Sequence, residues 1–527
     1  MPSINEVPTP PPEGTQYSRP SPAQASADAI PLLVDETYHV FHLTTPPYTR
    51  HHPPRLRSTW SRLRSTDLVT WTRDPEPVIR PGNDASSPDA DGAWTGSAVL
   101  GPDGNMQIFY TGYNLAQNGK QVILRTSSKD RHGSSFDDTA QMISIHGEGL
   151  SQFEEIDFRD PYVCFNDAEQ KYWMLVATRL AKGPHWTRGC LALLTSSTLN
   201  SWEIDPQPLY APNDMFCPEC PELFSLQNGK WYLVYSRFHA PNAGTVYRVA
   251  DNPRGPFRIP RDGSHGRLDG RRWYASKSCP KSGDPSKRIY FGWIGDYVDD
   301  EGKWLWGGDL GVPREVSADE CGNLRVDIAE EFRTLLHNAP SLSSPSIVAQ
   351  NLNLSSLGSK RNFFPDFGPE AQAQGLFVTF NIEAHDANSL GLILQADGTD
   401  KGHQLVFTQS GNGLFSVSLM TDFPPLDDFW ADQYSLHLRR PVDGPELVRH
   451  DSVSIGTGVS LLLRDQLVEV FCGGRSLSWR LPLNLENWKC EEAESTGHRL
   501  GWFVNDGTVS LAGLSIQGLD NGGKTVL

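Results

Sequence analysis

Apolar and polar positions alternate in short bursts through the first two-thirds of the chain. TYHVFHL (37–43), MQIFYTGY (106–113), QVILRTS (121–127), KYWMLVATR (171–179), LALLTSS (191–197), KWYLVYSR (230–237) and RIYFGWIG (288–295) are rich in β-branched and aromatic residues, with Gly, Asn, Asp or Pro between them. Runs of this length and make-up predict strands, and no helical period competes with them. A repeat is also visible. STDLVTWTRDPEPVI (65–79) matches SSTLNSWEIDPQPLY (196–210) at Ser65/Ser196, Leu68/Leu199, Trp71/Trp202, Asp74/Asp205, Pro75/Pro206 and Pro77/Pro208, and YRVADNPRGPFRI (247–259) is a weaker echo. Self-similar all-β units of this kind predict a β-propeller, whose blades are four-stranded sheets around a central channel.

Near residue 326 the pattern changes. VDIAEEFRTLLH (326–337) predicts a short helix, and the Ser-, Asn- and Pro-rich stretch 338–360 a connector. Alternating strands then resume from GLFVTFNIEA (375–384) to RLGWFVNDGTVSLAGLSIQG (499–518), at spacings that suit a two-sheet β-sandwich. The expected plan is an all-β chain. It has a disordered Pro-rich tail over 1–20, a propeller over 21–325, a linker with a short helix over 326–360 and a sandwich over 361–527.

Composition narrows the partners. A net charge of −17 over 527 residues, with no dense basic cluster, opposes binding to a phosphate backbone. No run of about twenty apolar residues predicts a membrane span. MPSINEVPTPPPEGTQYSRP lacks the apolar core of a secretory signal. Eight cysteines, most inside apolar runs, fit reduced thiols better than a disulfide framework. A cytoplasmic protein with a neutral or polar partner is expected. Fifteen tryptophans suit sugar faces as well as core packing.

The chemistry turns on MFCPECPELF (215–224). As a dithiol, Cys217-Pro-Glu-Cys220 lacks the second close cysteine pair that zinc needs and the βαβ setting of a redox CxxC. His39 and His42, three apart on a strand, point to opposite faces and make no metal pair. Glu219, by contrast, sits ahead of an apolar ELF, where a dry carboxyl is held protonated and can donate its proton. Asp160, in DFRDPYVCF, lies between Arg159 and Pro161, a setting that favours an ionised carboxylate able to accept hydrogen bonds from sugar hydroxyls. Taken singly, each acid also suits a salt bridge or a turn cap.

The blocks STWSRLRSTDLVTW (58–71), WTGSAVL (94–100), RDP (159–161), ECP (219–221), DGRRWYASKS (269–278) and WLWGGDLGVPREV (304–316), in that order, resemble glycoside hydrolase family 32, the β-fructofuranosidases, invertases and inulinases. The resemblance spans residues 25 to 330. It implies a five-bladed β-propeller followed by a C-terminal β-sandwich, retaining hydrolysis of fructosides and no metal or cofactor. Carried over, Glu219 is the general acid/base, Asp160 the transition-state stabiliser, and Cys217 and Cys220 are packing. The family's Asn-Asp-Pro-Asn-Gly nucleophile motif is altered. Asp28 stands at the right distance before TYHVF, but Ala27 replaces Asn, Ala29-Ile30-Pro31 replaces Pro-Asn-Gly, and Leu43 stands where a glutamine usually follows the strand. Asp35 is the competitor for the nucleophile and reads as a hairpin-turn residue. Trp60, Trp94, Ser97, Arg159 and Trp293 are the expected sugar-binding residues, aromatic faces against ring carbons and Arg and Ser on hydroxyls. The expected substrate is sucrose or a short fructo-oligosaccharide. Fructosyl transfer, an inverting arabinofuranosidase- or xylosidase-like reaction, and a sugar-binding protein without catalysis are the alternatives; oligomeric state cannot be read from the sequence.

Overall fold

Each predicted burst becomes a strand, and strands adjacent in sequence pair with one another. The computed structural model describes residues 17–21, 23–46, 57–238, 243–296, 306–338, 347–364, 375–421, 448–456, 458–464, 466–481 and 499–518. The first antiparallel sheet is Ser26–Val34, Thr37–Thr44, Thr59–Ser65 and Thr72–Arg73. The second is Gly92–Leu100, Met106–Tyr113, Gln121–Ser127 and Gln141–Met142. Phe153–Asn166, Lys171–Leu180, Gly189–Ser196 and Ser201–Ile204 make the third. Glu219–Ser225, Trp231–Arg237 and Gly244–Ala250 make the fourth, edged by a bridge from Val249 to Arg258. The fifth holds Trp273–Lys281, Asp284–Gly295, Arg314–Ala318 and Leu324–Ile328.

The short strand Gly308–Leu310 closes the ring. It pairs with Asp284–Gly295 in the fifth sheet and, through Gly308 and Ser26, with the first strand of the first. Five consecutive meanders joined end to start are a five-bladed propeller. Blades pack face to face, so their second strands are covered on both sides. Lys171–Leu180 is buried at every position but its two ends, which is why such strands read as unbroken apolar runs rather than strict alternations.

The sequence repeat is a turn used twice. In the first blade the Ser65 hydroxyl accepts from the Leu68 N–H at 2.9 Å, and Trp71 Nε1 donates to the Leu68 carbonyl at 3.1 Å. In the third, Ser196 and Leu199 are related in the same way at 2.9 Å, and Trp202 donates to Leu199 at 3.1 Å. Leu68 and Leu199 both have positive φ, +62° and +67°. The serine, the left-handed leucine and the buried tryptophan together lock the link from third to fourth strand.

After the helix Glu330–Asn338 the chain builds a sandwich. The long strand Arg499–Gly518 pairs through its first half with Ser389–Ala396 and through its second half with Leu376–His385, so it serves both sheets. Trp502 lies fully buried in the core between them, edge-on to Phe380 at 4.9 Å.

Three sequence expectations shift here. Val326–Ile328, expected in a helix, end the last propeller strand, and the helix starts at Glu330. Part of the expected connector is the strand Ile347–Phe363, paired along Arg499–Gly518; its period-two Leu352 and Leu354 are masked by a Ser- and Asn-rich composition. The expected disordered tail lies outside the described residues as far as 16. Its last part is anchored. Tyr17 is buried and donates to the Gly311 carbonyl at 2.9 Å, and Arg19 pairs with Asp296 at 2.8 Å and with Asp309.

Propeller and sandwich share a dry ionic junction. Arg314, with no exposure, pairs with Asp269 of the propeller and, at 3.2 Å, with Glu469 of the sandwich. It also donates to Ser476 at 3.0 Å and Ser478 at 2.5 Å, and its guanidinium lies 3.8 Å from the Trp273 ring centroid.

Candidate active site

The first strand of every blade carries an irregularity of register: at Ala27/Ala29, Ala93/Gly96, Arg159/Tyr162, Glu219/Glu222 and Tyr274/Lys277. Asp160, Cys220 and Ala275 hold positive φ of +56°, +50° and +46° within three of them. Such conformations are costly for non-glycine residues and cluster where side chains must be re-aimed. At the second-blade bulge, a Cβ on Gly96 would sit 1.8 Å from the Phe109 carbonyl oxygen, so this position of WTGS admits only glycine.

The bulges bring Asp28, Asp160 and Glu219 together. Asp28 is the extra residue of the first bulge. Its Oδ1 accepts from Trp293 Nε1 at 2.9 Å, and its Oδ2 lies 3.7 Å from Cys220 Sγ. Asp160 accepts from the Cys220 N–H at 2.9 Å, and its own N–H donates to Thr111 Oγ1 at 2.8 Å. Glu219 is gripped from two sides, by Arg159 Nη2 on Oε1 at 3.0 Å and the Tyr274 hydroxyl on Oε2 at 2.5 Å. Tyr274 meets Trp293 edge-on at 6.0 Å, so neighbouring aromatics bracket Asp28 and Glu219. Asp28 and Glu219 are partly open to solvent, whereas Asp160 is buried.

Burial and the neighbouring acids raise the carboxyls of both Asp28 and Glu219. Burial, reinforced by Asp160 and Glu219 and opposed by Lys277 and the Trp293 hydrogen bond, pushes Asp28 up to about 7. Burial likewise raises Glu219, with Asp160 adding to the rise and Arg159 and Tyr274 opposing it. Three acids thus face two buried cations, Arg159 and Lys277. A cluster with this balance favours keeping one proton, as a site with one acid and two carboxylates requires.

Asp35 stands apart. It sits on the exposed turn after the first strand, paired with Arg131 at 2.8 Å, and that hydrogen bond holds its carboxyl below the usual range. Cys217 and Cys220 are free thiols that burial pushes well above the ordinary cysteine range. Glu222, in the same CPECPELF run, is fully buried, accepting from Ser278 N–H at 3.0 Å and Arg288 at 3.2 Å. It ties the fourth blade to the fifth.

The expected sugar-binding residues divide. Trp293 and Arg159 touch the carboxyls directly. Trp94 is half-buried and stacks on Tyr113 at 4.2 Å. Trp60 has no exposed surface; it packs against Phe41 and Tyr110 and donates to the Trp94 carbonyl at 3.1 Å, so it offers no face to a sugar. The Ser97 hydroxyl is spent on the Val163 N–H at 2.9 Å, joining the second blade to the third. Tyr274 and Lys277 were missed as site residues, although both lie in the WYASKS block; the Tyr-Ala-Ser-Lys spacing across a bulge was the available signal. Asp157 was missed too. It pairs with Arg159 at 2.9 Å and Arg179 at 3.1 Å.

Because Arg159 holds Glu219 down, replacing it with glutamine should move the alkaline limb of kcat/KM to higher pH while lowering kcat. A pH–rate profile of Arg159→Gln checks this; a limb that stays in place would mean that Arg159 does not set the Glu219 titration.

Comparison with known proteins decides the family. The model of the glycosyl hydrolases family 32 N-terminal domain matches residues 29–327. The chain belongs to glycosyl hydrolase family 32. The family match begins one residue after Asp28, so the placement of that acid rests on geometry. Among curated family 32 relatives, an insoluble beta-fructofuranosidase isoenzyme of Arabidopsis thaliana is 26% identical over 319 residues, covering 55% of this chain and 52% of that one. A fructan 6-exohydrolase of Beta vulgaris is 26% identical over 320 residues, covering 56% and 50%. The chain therefore spans about half the length of the curated relatives it matches. The crystal structure of fructan 1-exohydrolase IIa from Cichorium intybus superposes with a TM-score of 0.70 at 18% identity, covering 96% of this chain and 97% of that one. Both layers of the family 32 architecture, propeller and sandwich, are thus present.

Proposed function

We propose that this family 32 protein is a retaining β-fructofuranosidase that releases terminal fructosyl residues from sucrose or short fructo-oligosaccharides. The observation that carries the reading is the convergence of Asp28, Asp160 and Glu219 around Cys220, Arg159 and Trp293. Asp28, on the first-blade bulge, attacks the anomeric carbon. Glu219, whose carboxyl burial raises, gives its proton to the leaving oxygen, then takes one from the water that cleaves the fructosyl-enzyme. Asp160, fixed by the Cys220 N–H, binds ring hydroxyls and steadies the cationic transition state. The fructan 1-exohydrolase of Cichorium intybus has been solved with 1-kestose, and other structural neighbours with sucrose or fructosylnystose, which supports this substrate class. Free, mostly buried thiols among the described residues support a reducing, cytosolic setting. Among the described residues no helix is long and apolar enough to cross a membrane.

The test is product release from sucrose, 1-kestose, inulin, levan and aryl arabinofuranosides, followed by NMR of the first-formed anomer. Free fructose released as the β-anomer is expected. An inverted anomer from a pentofuranoside would move the protein to the arabinofuranosidase-like reaction. Fructose appended to sugar would make it a transferase, and sugar binding without release a lectin-like protein.

A further inference from the structure

The hairpin loop 181–188 joins the second and third strands of the third blade. Pairing of Phe158 with Thr178, Arg159 with Ala177 and Arg179 with Gly189 places this loop at the end of the blade that carries Asp157, Arg159 and Asp160. It lifts Trp186 into solvent with 50% of its surface exposed. The ring does not stand alone. His185 meets it edge-on at 4.8 Å, and Phe216, three residues before Glu219, lies 5.5 Å away at 46°.

A single buried cation organises this group. The Arg179 guanidinium lies 4.1 Å from the Phe216 ring centroid, donates to the His185 carbonyl at 2.8 Å and contacts His185 Nδ1 at 2.9 Å. It also pairs with Asp157 at 3.1 Å, and Asp157 pairs with Arg159, the residue that grips Glu219. The exposed tryptophan and the raised carboxyl are thus the two ends of one chain of contacts. A large apolar ring held half-exposed is costly in water and well suited to the C–H face of a sugar.

The acid fixes which sugar. Glu219 must lie beside the oxygen it protonates, so the leaving group lies on the Glu219 side of the site, the side from which the Phe216–Trp186 contact extends. We propose that Trp186, braced by His185 and Phe216, is a platform for the leaving-group saccharide, a neutral hydroxylated ring or pair of rings presenting an apolar face. It is a specificity-determining residue that lets the protein favour longer leaving groups, and the inference rests on the hydrolase reading above.

The experiment compares wild type, Trp186→Ala and Trp186→Phe on methyl β-fructofuranoside, sucrose and 1-kestose, whose leaving groups hold no, one and two rings. Trp186→Ala should lower kcat/KM about tenfold on 1-kestose, mainly through KM, and leave methyl β-fructofuranoside unchanged, with Trp186→Phe recovering most of the loss. Equal loss on all three would make Trp186 a structural brace, and no loss on 1-kestose would remove it from the site; either result overturns the proposal. Calorimetric titration of Asp28→Asn protein with 1-kestose, with and without Trp186→Ala, needs no turnover. It should show the same tenfold weakening, and equal affinities would also overturn the proposal. Cleavage of methyl β-fructofuranoside by wild type tests the hydrolase reading separately, so the failure of one is distinguishable from the failure of the other.

Discussion

Asp28→Asn should abolish fructose release from every substrate, whatever the leaving group, with a loss on the order of 10^4- to 10^6-fold, the range found when a covalent nucleophile is removed. Asp35→Asn should leave activity intact, because that carboxyl is spent on Arg131 at the surface. The Asp28 substitution should also stabilise the protein, and the sign follows from the titration. The folded carboxyl is pushed from 3.8 to about 7. Between those values the native state keeps a proton that the unfolded chain has lost, so stability falls as pH rises through the window. By pH 8 the wild type carries a penalty of roughly 4 kcal/mol, reduced by the partial solvent exposure of Asp28; at pH 5 it is about 1–2 kcal/mol. Asparagine carries neither. Melting curves at pH 5 and pH 8 should show a larger rise in Tm for the variant at pH 8. An equal rise at both would mean that burial does not govern this carboxyl.

Glu219→Gln should cost about 10^2- to 10^4-fold on sucrose, the usual contribution of a positioned acid/base. The loss should depend on the leaving group. With fructosyl fluoride, which departs without a proton, the first step should survive and the fructosyl-enzyme should accumulate, because the second step lacks its base. Added azide should then restore turnover and yield fructosyl azide, and the alkaline limb of the pH profile should vanish. A uniform loss across leaving groups, with no azide rescue, would assign the acid role elsewhere. Glu222 is a poor substitute, being sealed between blades against Ser278 and Arg288.

Much of this was legible in the chain. The strand bursts were visible because the second strand of each blade is covered on both faces, and the turn repeat because Ser65–Leu68–Trp71 and Ser196–Leu199–Trp202 solve one backbone problem with one set of side chains. Asp160 and Glu219 were legible from short motifs that fix both a bulge and a side chain. Trp60 and Ser97 misled because a motif names a residue without saying which way a bulged strand turns it. Lys277 was hidden for the same reason. Asp28 was reached by distance from TYHVF alone. Its altered neighbours Ala27 and Leu43 prove to be cross-strand partners, and Leu43 in turn pairs with Trp60, so the departures form one apolar row across the first blade. Trp186 lay in a loop, where no periodicity marks it.

The Arg314 junction has a consequence for how the chain comes apart. A guanidinium with no exposure, shared between Asp269 and Glu469, has no stable half-state: removing either domain strands a buried charge, a cost of about 3–5 kcal/mol. The two layers are therefore one melting unit. The catalytic cluster inherits the stability of the sandwich, and a chain cut after the helix would lose its blades along with its brace.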